Sequence, residues 1–123
     1  MEQLVASPCC HPQMTLHEVL PAYASLGLGK FEVFTSWVKS AFGVKEGAAF
    51  YREMGRMHGV RFTSLHLPRI DDNIDMTLGQ AIETVRFASH LGASIVIFKA
   101  ASRELYKQAA PALLDEAEAL GLT

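Results

Sequence analysis

Four times along this chain a helix-like stretch ends at a glycine and a strand-like run follows, and this spacing constrains the fold more than any other feature. Gly27 follows YASL and leads to KFEVFT; Gly59 follows GRMH and leads to VRFTSLHL. Gly92 follows ASHL and leads to SIVIFKA, and Gly121 follows EAL and leads to LT. The intervals, about 32, 33 and 29 residues, are each the length of one strand–helix unit. Glycine suits these positions because a helix commonly closes on a left-handed residue, which a Cβ disfavours. Repetition at near-constant spacing turns a weak local signal into evidence for a βα repeat.

The segments between the glycines agree. Leu78, Ala81, Ile82, Val85, Ala88 and Leu91 follow the spacing of an amphipathic helix. Thr77 with Gln80 and Thr15 with Glu18 have the pattern of capping boxes. Further helices are expected over 46–58 and 105–120, the latter with Leu105, Ala109, Leu113 and Ala117 on one face. Pro21 is expected to bend its helix, and Pro111 to open a fresh one at its first turn. Strands are expected over 3–7, 30–35, 61–67 and 94–99, with Gly121 leading into the start of a fifth. SIVIF is apolar on both faces, as in a parallel strand covered on both sides.

The order β-α-β-α-β-α-β-α predicts right-handed βαβ units in an α/β fold. Residues 1–123 are read as one partial domain, half of a TIM barrel with four parallel strands. The alternative is an open, flavodoxin-like sheet. A nucleotide-binding sheet of that kind usually has a glycine-rich loop after its first strand, whereas this loop reads SPCCHPQM. A chain of 123 residues can bury a core without a metal or disulfide. Its net charge of −2 gives no basic face for nucleic acid, and its apolar runs are too short to span a bilayer. The N-terminus lacks the pattern of a signal peptide, so the expected compartment is the cytoplasm.

Laid out in this way, the sequence resembles the N-terminal half of the xylose-isomerase-like TIM barrels, which include sugar phosphate isomerases and epimerases. YASLGLGKFEVF is similar to the passage before the family's second strand, with Glu32 at its glutamate. GVRFTSLHLP is similar to the third strand, with His66 at its histidine. ASHLGASIVIF and LLDEAEALGLT resemble the approaches to the fourth and fifth strands. The resemblance implies a complete barrel in which a divalent metal (Mn, Mg, Zn or Co) holds sugar oxygens while an acid/base pair moves a proton. It also implies that the metal ligands lie on later strands, so that no metal is expected in this chain alone and the isolated half is expected to be inactive. FKAAS lacks the histidine that the DNA-repair branch places after the fourth strand, which favours the sugar isomerase branch.

Barrel chemistry sits on the loops that follow the strands. The substrate-binding candidates are therefore His66, Glu32, Trp37, His11 and Lys99, with Cys9, Cys10, Arg69, Asp71, Asp72 and Asp75 at the same end. His66 alternates with Ser64 and Phe62, placing all three on one strand face. The ligand would be a sugar or sugar phosphate, and the alternative for His66 is a histidine bonded to backbone. Glu32 must be paired or near water, because an unpaired buried carboxylate is costly. CCHP lacks the four-ligand spacing of a closed zinc site and is read as small buried residues in a tight loop. The acidic run 71–75 lacks the spacing of a calcium loop and is read as a helix start. A half-barrel also leaves two strand edges unpaired, so a homodimer that closes eight strands is expected. The rival to an enzyme is a non-catalytic half-barrel binding or assembly module.

Overall fold

The computed structural model describes residues 3–123. Helix α1 spans Leu16–Ser25, strand β1 Lys30–Val33, helix α2 Ala48–His58 and strand β2 Arg61–His66. Helix α3 spans Ile74–Leu91, strand β3 Ile95–Ile97 and helix α4 Arg103–Ala119. Short 3-10 turns occupy Pro8–Cys10 and Val44–Glu46.

All four repeat glycines have positive φ, between 67° and 94°. Each carries the same pair of bonds. The residue after the glycine donates to the carbonyl five residues back (Leu28 to Tyr23, Val60 to Gly55, Ala93 to Ala88, Leu122 to Ala117), at 2.8 to 3.1 Å. The glycine itself donates three residues back, at 3.0 to 3.2 Å. This is the Schellman closure, which satisfies carbonyls that a helix end leaves open. At the other end of α1, Thr15 and Glu18 form the expected capping box. The Thr77–Gln80 pair does not cap: α3 begins one turn earlier at Asn73, and the Thr77 hydroxyl bonds the Asn73 carbonyl at 3.0 Å from inside the helix. Pro21 lies within α1. Pro111 lies within a continuous α4 that Ser102 caps by accepting from the Leu105 amide, so it opens no new helix. The earlier cap had already started the helix.

The sheet is parallel, in the order β1–β2–β3. On the outer side of β1, Ala6 donates to Lys30 and accepts from Glu32, both at 2.9 Å, as a single parallel bridge to Phe31. The strand expected over 3–7 is reduced to this bridge: Leu4 and Val5 are exposed, and Pro8 follows with no N–H to donate. On the outer side of β3, Thr123 donates to Ser94 at 2.9 Å and Val96 donates to Thr123 at 3.0 Å. That is the bond pair of a parallel neighbour. Sheet positions therefore run in chain order with no reversal. A doubly wound open sheet must reverse at a switch point, so the flavodoxin-like alternative is set aside.

The helices cover one face. Phe31 and Val33 of β1, and Phe62 and Leu65 of β2, point into a core with Leu20, Val85, Ala88 and Leu113. Between Phe31 and Glu32 the register with β2 slips: Phe31 opposes Phe62, but Glu32 opposes Ser64, leaving Thr63 without a partner on β1. Such a bulge inverts the alternation beyond it. The expected single face of Phe62, Ser64 and His66 is thereby corrected. Phe62 is buried under the helices, while Ser64 and His66 are only partly covered and alternate with buried Leu65.

Candidate functional site

Glu32 lies between two core residues of β1, so its carboxylate projects away from the helices. After the bulge, His66 projects to the same side at the end of β2. Their side chains meet, His66 Nε2 to Glu32 Oε1 at 2.8 Å, with 15% and 23% of their surfaces exposed. A carboxylate can only accept, so Nε2 carries the hydrogen and donates. In the neutral ring Nδ1 is then an unprotonated acceptor. It is buried and has no hydrogen-bond partner among the described residues.

His66 is held at its ring and at its backbone. Phe34, which follows β1, stacks on it with centroids 4.1 Å apart and 21° between planes. Thr35 Oγ1 donates to the His66 carbonyl at 2.8 Å. Phe34 also takes the edge of Trp37 at 5.5 Å, and Lys99 Nζ stands 5.9 Å from its ring centroid, within cation–π range. Trp37 has φ 56°, the only positive value outside glycine among the described residues. Val38 donates to the Ser36 carbonyl at 2.8 Å across it. This is a γ-turn of the rarer, strained hand, and it leaves the indole 63% exposed.

Phe34, Trp37, His66, Arg69, Lys99 and Tyr106 line one cleft of about 570 Å³. Its lining contains two cations and no acid. Neither Arg69 nor Lys99 forms an ion pair among the described residues. A small aromatic cleft with unpaired cations can receive a polar ring on its aromatic walls and an anionic substituent at its rim.

Of the sequence candidates, His66, Trp37 and Lys99 line this cleft and Glu32 bonds His66. His11 goes elsewhere: its Nδ1 lies 2.7 Å from the Tyr23 hydroxyl, edge-on to that ring. Burial raises the Tyr23 phenol above its ordinary value, and the nearby cysteines add to this. Cys9 and Cys10 are exposed, not the buried loop residues expected, because Pro8 takes the buried place in their turn. Asp71 accepts from the Asn73 amide at 2.9 Å and Asp75 sits in the first turn of α3, so both serve the start of that helix. Phe34 and Tyr106 were missed. Aromatic residues beside a strand end and in a first helical turn look in sequence like core.

The divalent metal implied by the resemblance does not fit the donors present. Glu32 and His66 are spent on each other, and among the described residues no three His, Cys, Asp or Glu side chains converge.

The fold is that of half a (β/α)-barrel of the TIM type. Solved structures that superpose on it include proteins described as xylose isomerase-, epimerase- and sugar phosphate isomerase-like. A xylose isomerase domain containing protein from Salmonella typhimurium superposes with TM-score 0.73 at 11% identity, over 97% of this chain and 46% of that one. A D-tagatose 3-epimerase-like protein gives 0.70 at 13% identity, over 97% and 50%. A sugar phosphate isomerase/epimerase from Parabacteroides distasonis gives 0.62 at 16% identity, over 97% and 48%. The chain thus spans about half the length of these proteins. No protein-family model matches the sequence, and no curated protein matches it significantly. Among the described residues no helix is long and apolar enough to cross a membrane.

Proposed function

We propose that this chain is the sugar-binding half of a cytoplasmic sugar phosphate isomerase- or epimerase-like barrel. The observation that carries the reading is the cleft in which Trp37, Phe34 and His66 offer aromatic and hydrogen-bonding surface beside Arg69 and Lys99. A sugar ring stacks on Trp37, and the phosphate lies between the two cations, where a planar guanidinium and an ammonium both donate. Glu32 fixes the tautomer of His66 by accepting from its Nε2. Proton transfer at carbon, and any metal that assists it, belong to the completed barrel. Alone, this half binds without turnover.

Two copies meeting edge to edge would supply eight strand positions. In that case the chain works as an assembly module, with the open Ala6 side of one copy against the part of the β3 edge that Thr123 leaves unpaired in the other.

Trp37 is the sole tryptophan, so its emission reports the cleft directly. Titration with a ketohexose phosphate, the parent ketohexose and inorganic phosphate should change the emission most with the phosphorylated sugar. Equal responses to all three, or none, would refute the reading.

A further inference from the structure

We propose that Cys9 and Cys10 form a vicinal dithiol site for one soft, thiophilic centre of the trivalent-arsenic or monovalent-copper class, with both sulfurs bound to the same atom. The two cysteines are consecutive in the 3-10 turn Pro8–Cys10, both free and both exposed, while Pro8 anchors the turn in the interior. The Ser7 hydroxyl donates to Cys9 Sγ at 3.0 Å, a contact that strengthens as the sulfur becomes a thiolate. The two side chains leave neighbouring positions of one turn, and the charge of Cys9 raises the Cys10 thiol. A centre bridging both neutralises that repulsion.

The surroundings select the ligand. Zinc takes four ligands in its closed sites, but His11 is turned onto Tyr23 and among the described residues no third His, Cys, Asp or Glu joins the pair. A two-sulfur donor set suits soft centres of low coordination number.

With an aryl arsenoxide the step is a condensation without redox change. Two S–H bonds and the As=O bond break, two As–S bonds form, and one water leaves. The reduced chain is treated with one equivalent of phenylarsine oxide, then followed by intact mass and thiol titration. The expected result is a single adduct that protects both thiols, survives excess glutathione, and is released by a small dithiol. Cys9→Ser and Cys10→Ser should each retain the arsenical about 100-fold less well against glutathione, the scale of a lost second attachment. Both side chains are exposed, so circular dichroism of the variants should match the parent. Retention by either single variant equal to the parent's, or one thiol still titrating after one equivalent, would overturn the proposal. So would zinc displacing the arsenical.

Discussion

Gly55 and Gly79 both lie inside helices, yet the same substitution should change stability in opposite directions. A Cβ at Gly55 would stand 2.7 Å from the Val60 carbonyl oxygen and 2.9 and 3.0 Å from atoms of the Phe62 ring. Val60 is tied by its own amide to the Gly55 carbonyl at 2.8 Å, closing α2, and Phe62 is buried. Neither neighbour can swing away like the tip of a flexible side chain. Overpacking of this kind costs about 1–3 kcal/mol, and a backbone obstacle belongs in the upper part of that range. Alanine recovers about 1 kcal/mol of helix propensity, so Gly55→Ala should destabilise by about 1–2 kcal/mol. At Gly79, on the exposed side of α3, a Cβ meets nothing within 4 Å, and Gly79→Ala should stabilise by about 1 kcal/mol. Urea denaturation of the two variants beside the parent should separate them by about 2–3 kcal/mol at constant m. If Gly55→Ala proves as stable as Gly79→Ala, α2 does not rest on β2 through that glycine, and the placement of the strand carrying Ser64 and His66 is wrong.

Trp37→Gly should fold with stability equal to the parent or up to about 1 kcal/mol higher, because it relieves a positive φ on a bulky residue, while sugar-phosphate affinity in calorimetry falls by about tenfold; a cooperative loss of structure would contradict this. Lys99→Ala and Arg69→Ala should each weaken binding of the phosphorylated sugar in the same assay and leave the neutral sugar unchanged. The Glu18 carboxyl is held below its ordinary range by the backbone and side-chain hydrogen bonds from Thr15. Because its folded value lies below its unfolded one, its contribution is present above the unfolded value and fades as pH falls through the folded one. Exchange protection of the first α1 amides should drop over that acid interval in the parent, and Glu18→Gln should flatten the dependence. Light scattering across concentrations should show a dimer if two copies close the barrel, and a monomer at every concentration would remove that mode of assembly.

Local rules determined much of this protein from its sequence. Where helices end follows from glycine's access to positive φ and from the Thr15–Glu18 box, both set within a few residues. The core face of α4 was legible for the same reason: Ala109, Leu113 and Ala117 recur one turn apart and are buried. What the sequence could not fix was anything settled between strands. The skipped pairing at Thr63 is a property of two strands in register, and it moves Phe62 to the helices while turning Ser64 and His66 the other way. The Glu32–His66 contact joins residues 34 apart, and the stack of Phe34 on His66 depends on that inverted phase. Tyr106 reaches the cleft only because α4 starts beside the end of β3. Backbone conformation is decided by neighbours along the chain, whereas a binding site is decided by neighbours across the sheet.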